Sequence, residues 1–240
     1  MSIIFKDVYK AFGPKKILDG VSFTVDTGEI MFILGKSGMG KSVTLKNIVG
    51  LLKPDKGSVQ IETLLINELD EEGLEGARKI CGMVFQHPAL LDSLTIYQNV
   101  AFGLRGIPEA KVRERVVECL GLVHLDESIF NRKPPEISYG MQKRVSLART
   151  LAPGPRYLLF DEPTTGLDPI TTNAVNELIF ELSRKLNVTS VVVSHDMGCA
   201  LRIADRILVL DQGKVLALGS VAEIKKNPDP LIRDFLVEAI

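Results

Sequence analysis

The sequence predicts an α/β fold built on a largely parallel sheet. Three observations carry that expectation. Short apolar runs alternate with helical patterns along the 240 residues. One run, Ile30–Leu34, ends at a glycine-rich loop that opens a helix. From about 88 to 152, strand signals thin out and helical patterning takes over, which reads as an insertion into the α/β core. No Gly/Ser- or Pro-rich linker divides the chain into two units.

Taken in order, residues 2–8 and 21–25 read as strands before any helix appears. Residues 41–52 read as a helix, with Leu45, Ile48 and Val49 at helical spacing. Residues 53–57 form a turn, because Pro54 sets one φ angle and Gly57 frees another. Val59, Gln60 and Ile61 alternate as a strand does. In the insertion, Val112, Val116, Cys119 and Leu120 share one helix face, and Pro134-Pro135 should stop any helix there. Strand-like runs return at 157–160 and 189–193. Between them Val175, Leu178, Ile179, Leu182 and Leu186 form an apolar stripe, with Glu181 and Lys185 as an i, i+4 pair on the exposed side. Residues 207–210 and 215–218 read as a hairpin turning at Gly213. A last helix begins near Val221, breaks at Asn227-Pro228-Asp229-Pro230 and resumes towards the C-terminus.

Composition removes several function classes. With 29 Lys+Arg against 30 Asp+Glu the net charge is −1, so no globally basic surface exists and no nucleic-acid partner is expected. The 45% hydrophobic content is too high for a disordered chain. Cys81, Cys119 and Cys199 are scattered and odd in number, which fits neither a disulfide framework nor a zinc site and points to a reducing compartment. The apolar runs fall far short of the roughly 20 residues of a spanning helix, and residues 1–10 lack the pattern of a signal peptide. Any membrane crossing is expected to fall to a separate subunit.

The chemistry begins at Gly35-Lys36-Ser37-Gly38-Met39-Gly40-Lys41-Ser42, which matches G-x-x-x-x-G-K-[ST] between a strand and a helix. Glycines let several N–H groups turn inward around phosphate oxygens, and the helix N-terminus adds its positive end. Lys41 can reach the β- and γ-phosphates, and the Ser42 hydroxyl can ligate Mg²⁺. The run 157–160 ends in Asp161-Glu162, and in a parallel sheet ligands gather beyond the strand C-termini. Asp161 is thus placed to hold Mg²⁺ and Glu162 to polarise an attacking water. His195 stands at the end of the 189–193 strand, where it can contact the γ-phosphate or orient that water.

With these residues in order, the sequence resembles the nucleotide-binding subunit of an ABC transporter over about 2–220. Ile137-Ser138-Tyr139-Gly140-Met141 resembles the family's L-S-G-G-Q signature and stands about 20 residues before Asp161-Glu162. Gln86 resembles the Q-loop glutamine, Thr165-Gly166-Leu167-Asp168 the D-loop, His195 the switch histidine and Phe12 the aromatic that stacks on adenine. The resemblance implies a P-loop NTPase, RecA-like core with an antiparallel β subdomain and an inserted α-helical subdomain. One cassette would span 2–240, with its core at about 2–87 and 153–220, the insertion at 88–152 and a helical tail at 221–240.

The implied nucleotide-binding set is Phe12, Gly35 to Val43 and the cofactors ATP and Mg²⁺. Ser42, Gln86 and Asp161 would hold the metal, and Glu162, His195 and Gln86 would act in catalysis. A homodimer would bring Ser138, Gly140 and Asp168 to the partner's ATP. An integral membrane permease would receive the motion, with this subunit peripheral on the cytoplasmic face of the inner membrane.

Several positions depart from the common pattern. Tyr139 and Met141 replace a signature glycine and glutamine, Val43 a frequent threonine and Lys36 a common proline. All leave Lys41, Asp161, Glu162 and His195 in place, so an active ATPase is expected. Met141, the stretch from Gln86 to Thr95 and the tail from Gly219 to Leu236 are similar to the Mla-type branch, which implies phospholipid transport with an MCE substrate-binding protein. The alternative is an importer of a polar solute such as an amino acid or organosulfur compound.

Overall fold

The computed structural model of the protein describes residues 2–238. Met1 and the last two positions of the expected tail lie outside them. The chain begins with the strands β1 (Ile3–Phe12) and β2 (Lys15–Val25), both longer than the sequence pattern indicates. Their length shows how a hairpin carries strands past polar residues such as Lys6 and Lys10, where alternation breaks down, with a bulge at Asp7, whose φ is +47. β3 (Ile30–Leu34) then leads through the glycine loop into α1 (Lys41–Ile48).

α1 stops four residues before the expected end. Gly50 adopts φ +64 and its amide reaches Asn47 O, while the Leu51 amide reaches Lys46 O. These two bonds satisfy the orphan carbonyls of the last turn in a Schellman arrangement. A Cβ at Gly50 would lie 2.3 Å from a Leu74 methyl, so only glycine fits.

The chain continues through β4 (Lys56–Ile61), β5 (Leu64–Leu65), α2 (Glu71–Lys79) and β6 (Cys81–Val84). The insertion carries α3 (Ile96–Ala101), α4 (Glu109–Leu122) and α5 (Tyr139–Leu151) and no strand. α4 buries Val112, Val116, Cys119 and Leu120, the face read from the sequence. Pro134 and Pro135 do not interrupt a helix but start a single 3-10 turn, where a missing amide costs nothing.

β7 (Tyr157–Asp161), α6 (Pro169–Lys185), β8 (Thr189–Ser194), α7 (Met197–Ile203), β9 (Arg206–Asp211) and β10 (Lys214–Ser220) follow. α8 (Val221–Lys225) and α9 (Pro230–Glu238) flank the break at Asn227–Pro228. On α6 the expected Glu181–Lys185 pair is replaced: Glu181 Oε2 lies 3.6 Å from His124 Nε2, on the loop after α4. Both groups are exposed, so neither arrangement contributes much to stability.

Two sheets result. The first, β2-β1-β4-β5, is antiparallel, and the second runs β10-β9-β3-β8-β7-β6. In the second sheet only the β9–β10 pair is antiparallel. The central strands are buried on both faces and predominantly apolar, β3 at every position. Ile30, Phe32, Leu158, Phe160, Val192 and Val209 join a core with the insertion, α6, α7 and the tail. Their neighbours Met31, Ile33, Leu159, Val191, Val193 and Leu210 join another with α1, α2 and the antiparallel sheet.

Register then fixes the functional edge. Leu34 pairs with Ser194, and Val193 with Asp161, so β3, β8 and β7 end side by side. Gly35, His195 and Glu162 are the next residues along each strand. Among the described residues, no helix is long and apolar enough to cross a membrane.

Candidate nucleotide site

The loop between β3 and α1 is shaped by two glycines. A Cβ on Gly35 would meet Leu210 O at 2.5 Å, and one on Gly40, at φ +98, would meet Ile17 O at 2.8 Å. Larger residues would push the loop off both strands. Met39 is tied behind the loop, its Sδ accepting the Gln212 amide at 3.2 Å. Lys41 is only 6% exposed, and its Nζ donates to Gly35 O at 2.7 Å and Lys36 O at 3.2 Å. The ammonium is thus held directly over the loop whose amides would face phosphate.

The acidic strand end meets that loop. Ser42 Oγ donates to Asp161 Oδ1 at 2.7 Å. Glu162 takes the left-handed conformation, φ +50, uncommon for a residue with a side chain. Its amide donates to Val193 O at 2.9 Å, which anchors the turn to β8. The turn points the carboxylate between two side-chain nitrogens: Oε1 lies 3.3 Å from Lys41 Nζ, and Oε2 lies 2.8 Å from His195 Nδ1. Backbone strain of this kind collects where a side chain must be aimed. Thr165 adds a longer contact, Oγ1 to Glu162 Oε2 at 3.4 Å.

Lys41, Ser42, Glu162, Thr165 and His195 line one cavity of about 710 Å³, together with Lys36, Ser37, Gly38, Gly40, Val43 and Gln86; Gly35, Met39 and Asp161 are not part of its lining, and Asp161 meets it through Ser42. That volume suits a bound nucleotide. Lys15, Ile17 and Phe235 also line it and were not singled out as site residues by the sequence. Phe235 is brought there from α9 by the tail. Lys15, a lone cation at the start of β2, carried no periodic signal. Phe12 sits outside the lining, 49% exposed, with Lys10 Nζ 5.7 Å from its ring centroid.

Ser138, Gly140 and Asp168 do not join Lys41. They line a separate cavity of about 440 Å³ with Tyr139, Met141 and Thr171. α5 starts at Tyr139 because Ser138 caps it by accepting the Met141 amide at 3.3 Å. Asp168 caps α6, accepting the Ile170 and Thr171 amides at 3.0 Å and the Thr171 hydroxyl at 2.6 Å. The Thr171 hydroxyl and these amides hold its carboxyl below the ordinary range. The cysteines stand apart from all of this. Burial pushes the Cys81 and Cys199 thiols up to about 12 and Cys119 to about 11.

A family model described as ABC transporter matches residues 18–165, more than half of the chain and including the glycine loop, the signature and the acidic strand end. The chain belongs to the ABC transporter family. The methionine import ATP-binding protein MetN of Brucella abortus (strain 2308) is 40% identical over 237 residues, covering 98% of this chain and 64% of that protein. The sulfate/thiosulfate import ATP-binding protein CysA of Bradyrhizobium diazoefficiens is 40% identical over 249 residues, 100% of this chain and 70% of that protein. This ABC chain therefore spans less than two thirds of the length of the MetN protein it matches.

The dimeric structure of MJ0796, a bacterial ABC transporter cassette, superposes with a TM-score of 0.83 at 36% identity over 91% of this chain and 98% of that one. A post-hydrolysis state of the same cassette, bound to ADP and Pi, gives 0.82 at 35% identity over the same shares. The mixed α/β cassette fold expected from the sequence is the fold observed.

Proposed function

We propose that this chain is the ATP-hydrolysing subunit of an ABC transporter, one cassette over 2–240 that works as a homodimer on a separate membrane permease. The observation that carries the reading is the placement of Glu162 between Lys41 and His195, beside the Ser42–Asp161 pair and over the glycine loop. The loop amides and Lys41 would take the phosphates of ATP. Glu162 would accept a proton from the attacking water, with His195 holding its other oxygen and Gln86 at the mouth of the same cavity. Water adds to the γ-phosphorus, and the bond to the β-phosphate oxygen breaks to give ADP and phosphate.

The donor set fits Mg²⁺: a hydroxyl and a carboxylate oxygen in contact are the hard ligands this ion takes. Ser42, Asp161 and Gln86 are the residues that would hold it, and the ion would neutralise charge on the phosphate oxygens. Glu162→Gln is expected to lower turnover by at least about a hundredfold while ATP still binds. Unchanged hydrolysis would remove the assignment.

The cargo is the finer question. The two relatives are named for import of methionine and of sulfate or thiosulfate, which favours a small polar solute over a lipid. The phospholipid reading, with an MCE protein as partner, keeps the support of Met141 in the signature and of the tail. A strain lacking this chain separates them. Reduced uptake of labelled methionine or sulfate supports import. Intact uptake with disturbed envelope phospholipid supports the other reading. In either case the subunit would sit peripherally on the cytoplasmic face of the membrane.

A further inference from the structure

Lys143 is almost fully buried, 4% exposed, on the second turn of α5. Burial of an ammonium is costly unless its hydrogens are used. Desolvation accordingly pulls its pKa down to about 8. Its Nζ donates to two main-chain oxygens from distant loops: Gln86 O, and Pro163 O at 3.0 Å. Pro163 directly follows Glu162. One side chain therefore joins the segment carrying Gln86 to the segment carrying the strained Glu162.

The rest of α5 reinforces the joint. Arg149 donates to Ala89 O at 2.8 Å and to Pro88 O at 3.2 Å, binding the remainder of the 86–89 loop. Ala89 itself sits at φ +50, so these bonds hold a conformation the loop would not keep alone. At the start of the helix the Tyr139 ring lies 5.5 Å from Lys143 Nζ, and the Tyr139 hydroxyl lies 3.3 Å from His87 Nδ1. α5 thus touches two loops of the site at once.

We infer that Lys143 is a positioning residue for ATP hydrolysis, fixing the Gln86 loop and the Glu162 turn in one relative placement through the two carbonyls it joins. It touches no reacting atom. A buried cation serving only as a strut between main-chain oxygens acts on the geometry of Gln86 and Glu162, not on the grip of the glycine loop. The inference rests on the roles proposed above for those two residues.

Kinetics of the full chain test it, with the wild type and Glu162→Gln as references. If the wild type fails to hydrolyse ATP, the proposed function fails and not the strut. Given an active wild type, Lys143→Met keeps the side chain as far as the ε position and loses every donor. It is expected to lower kcat at least ~10-fold with KM for ATP within about threefold, the split of an interaction made for the transition state. Lys143→Gln keeps two N–H donors and is expected to hold kcat within about threefold. A Met variant as fast as wild type, or a folded Gln variant as slow as the Met variant, would overturn the inference. Should the Met variant not fold, hydrogen exchange on the Gln variant decides. Protected amides near 86–90 and 162–166 with preserved kcat support the strut. Loosened amides with unchanged kcat, or lost kcat with fully protected amides, would overturn it.

Discussion

At the scale of the residue, burial decides reactivity. The three thiols are free and their pKa values lie at about 11 to 12. A thiolate at pH 8 is then roughly one molecule in a thousand or fewer, against about a quarter for an unfolded cysteine. Alkylation of the native protein at pH 8 is expected to run more than about a hundredfold slower than after denaturation, and to accelerate as pH rises towards 11. Thiol titration with and without denaturant checks this. The sequence already excluded a disulfide framework at these positions, because the three are scattered and odd in number. The placement of Lys41, Ser42, Asp161 and His195 was equally legible, because each follows, ends or opens an element whose end the pattern shows. Lys143 was not legible: its partners are carbonyl oxygens of loops 57 and 20 residues away, and a main-chain oxygen leaves no mark in a sequence.

At the scale of the element, strands buried on both faces announced themselves. Ile30–Leu34 is apolar at every position and was delimited to the residue. α2 and β6 escaped. α2 carries two glycines, Gly73 and Gly76, that depress helix propensity, although Asp70 caps it by accepting the Gly73 amide at 2.9 Å. β6 is four residues long and was absorbed into the motif that follows it. The Glu181–Lys185 expectation failed because spacing along one helix says nothing of a partner on a distant loop. Caps are the most testable of these local signals. α3 has only six residues and a full capping box, Thr95 Oγ1 accepting the Gln98 amide at 3.2 Å and Gln98 Oε1 accepting the Thr95 amide at 2.9 Å. Thr95→Ala is expected to cost about 1 kcal/mol, a fall of roughly 2–4 °C in Tm. Calorimetry of the purified variant would show it.

At the scale of the molecule, the groups expected to share one ATP lie in two cavities. The glycine loop, Ser42 and Glu162 line one, and Ser138, Gly140 and Asp168 line the other. A complete site on the proposed reading needs a second copy, as the dimeric relative illustrates. Lys41→Ala alone is expected to lose ATP affinity and Ser138→Arg alone to fail in dimerising. Mixed, the two variants can assemble one composite site with Lys41 and Ser138 both intact, so an ATP-dependent mixed dimer should appear on size-exclusion chromatography. ATP at a hundred times its Kd should also raise the wild-type stability by about 2.7 kcal/mol, and thermal scans of Lys41→Ala should lack that gain.

Glu162 is engaged at both oxygens, by an ammonium on one side and an imidazole on the other. Neither oxygen is then open on the side its partner occupies. On the proposed reading, an arriving triphosphate would draw the ammonium towards itself and leave Glu162 Oε1 facing a water. The fuel would thus clear the place from which its own cleavage starts.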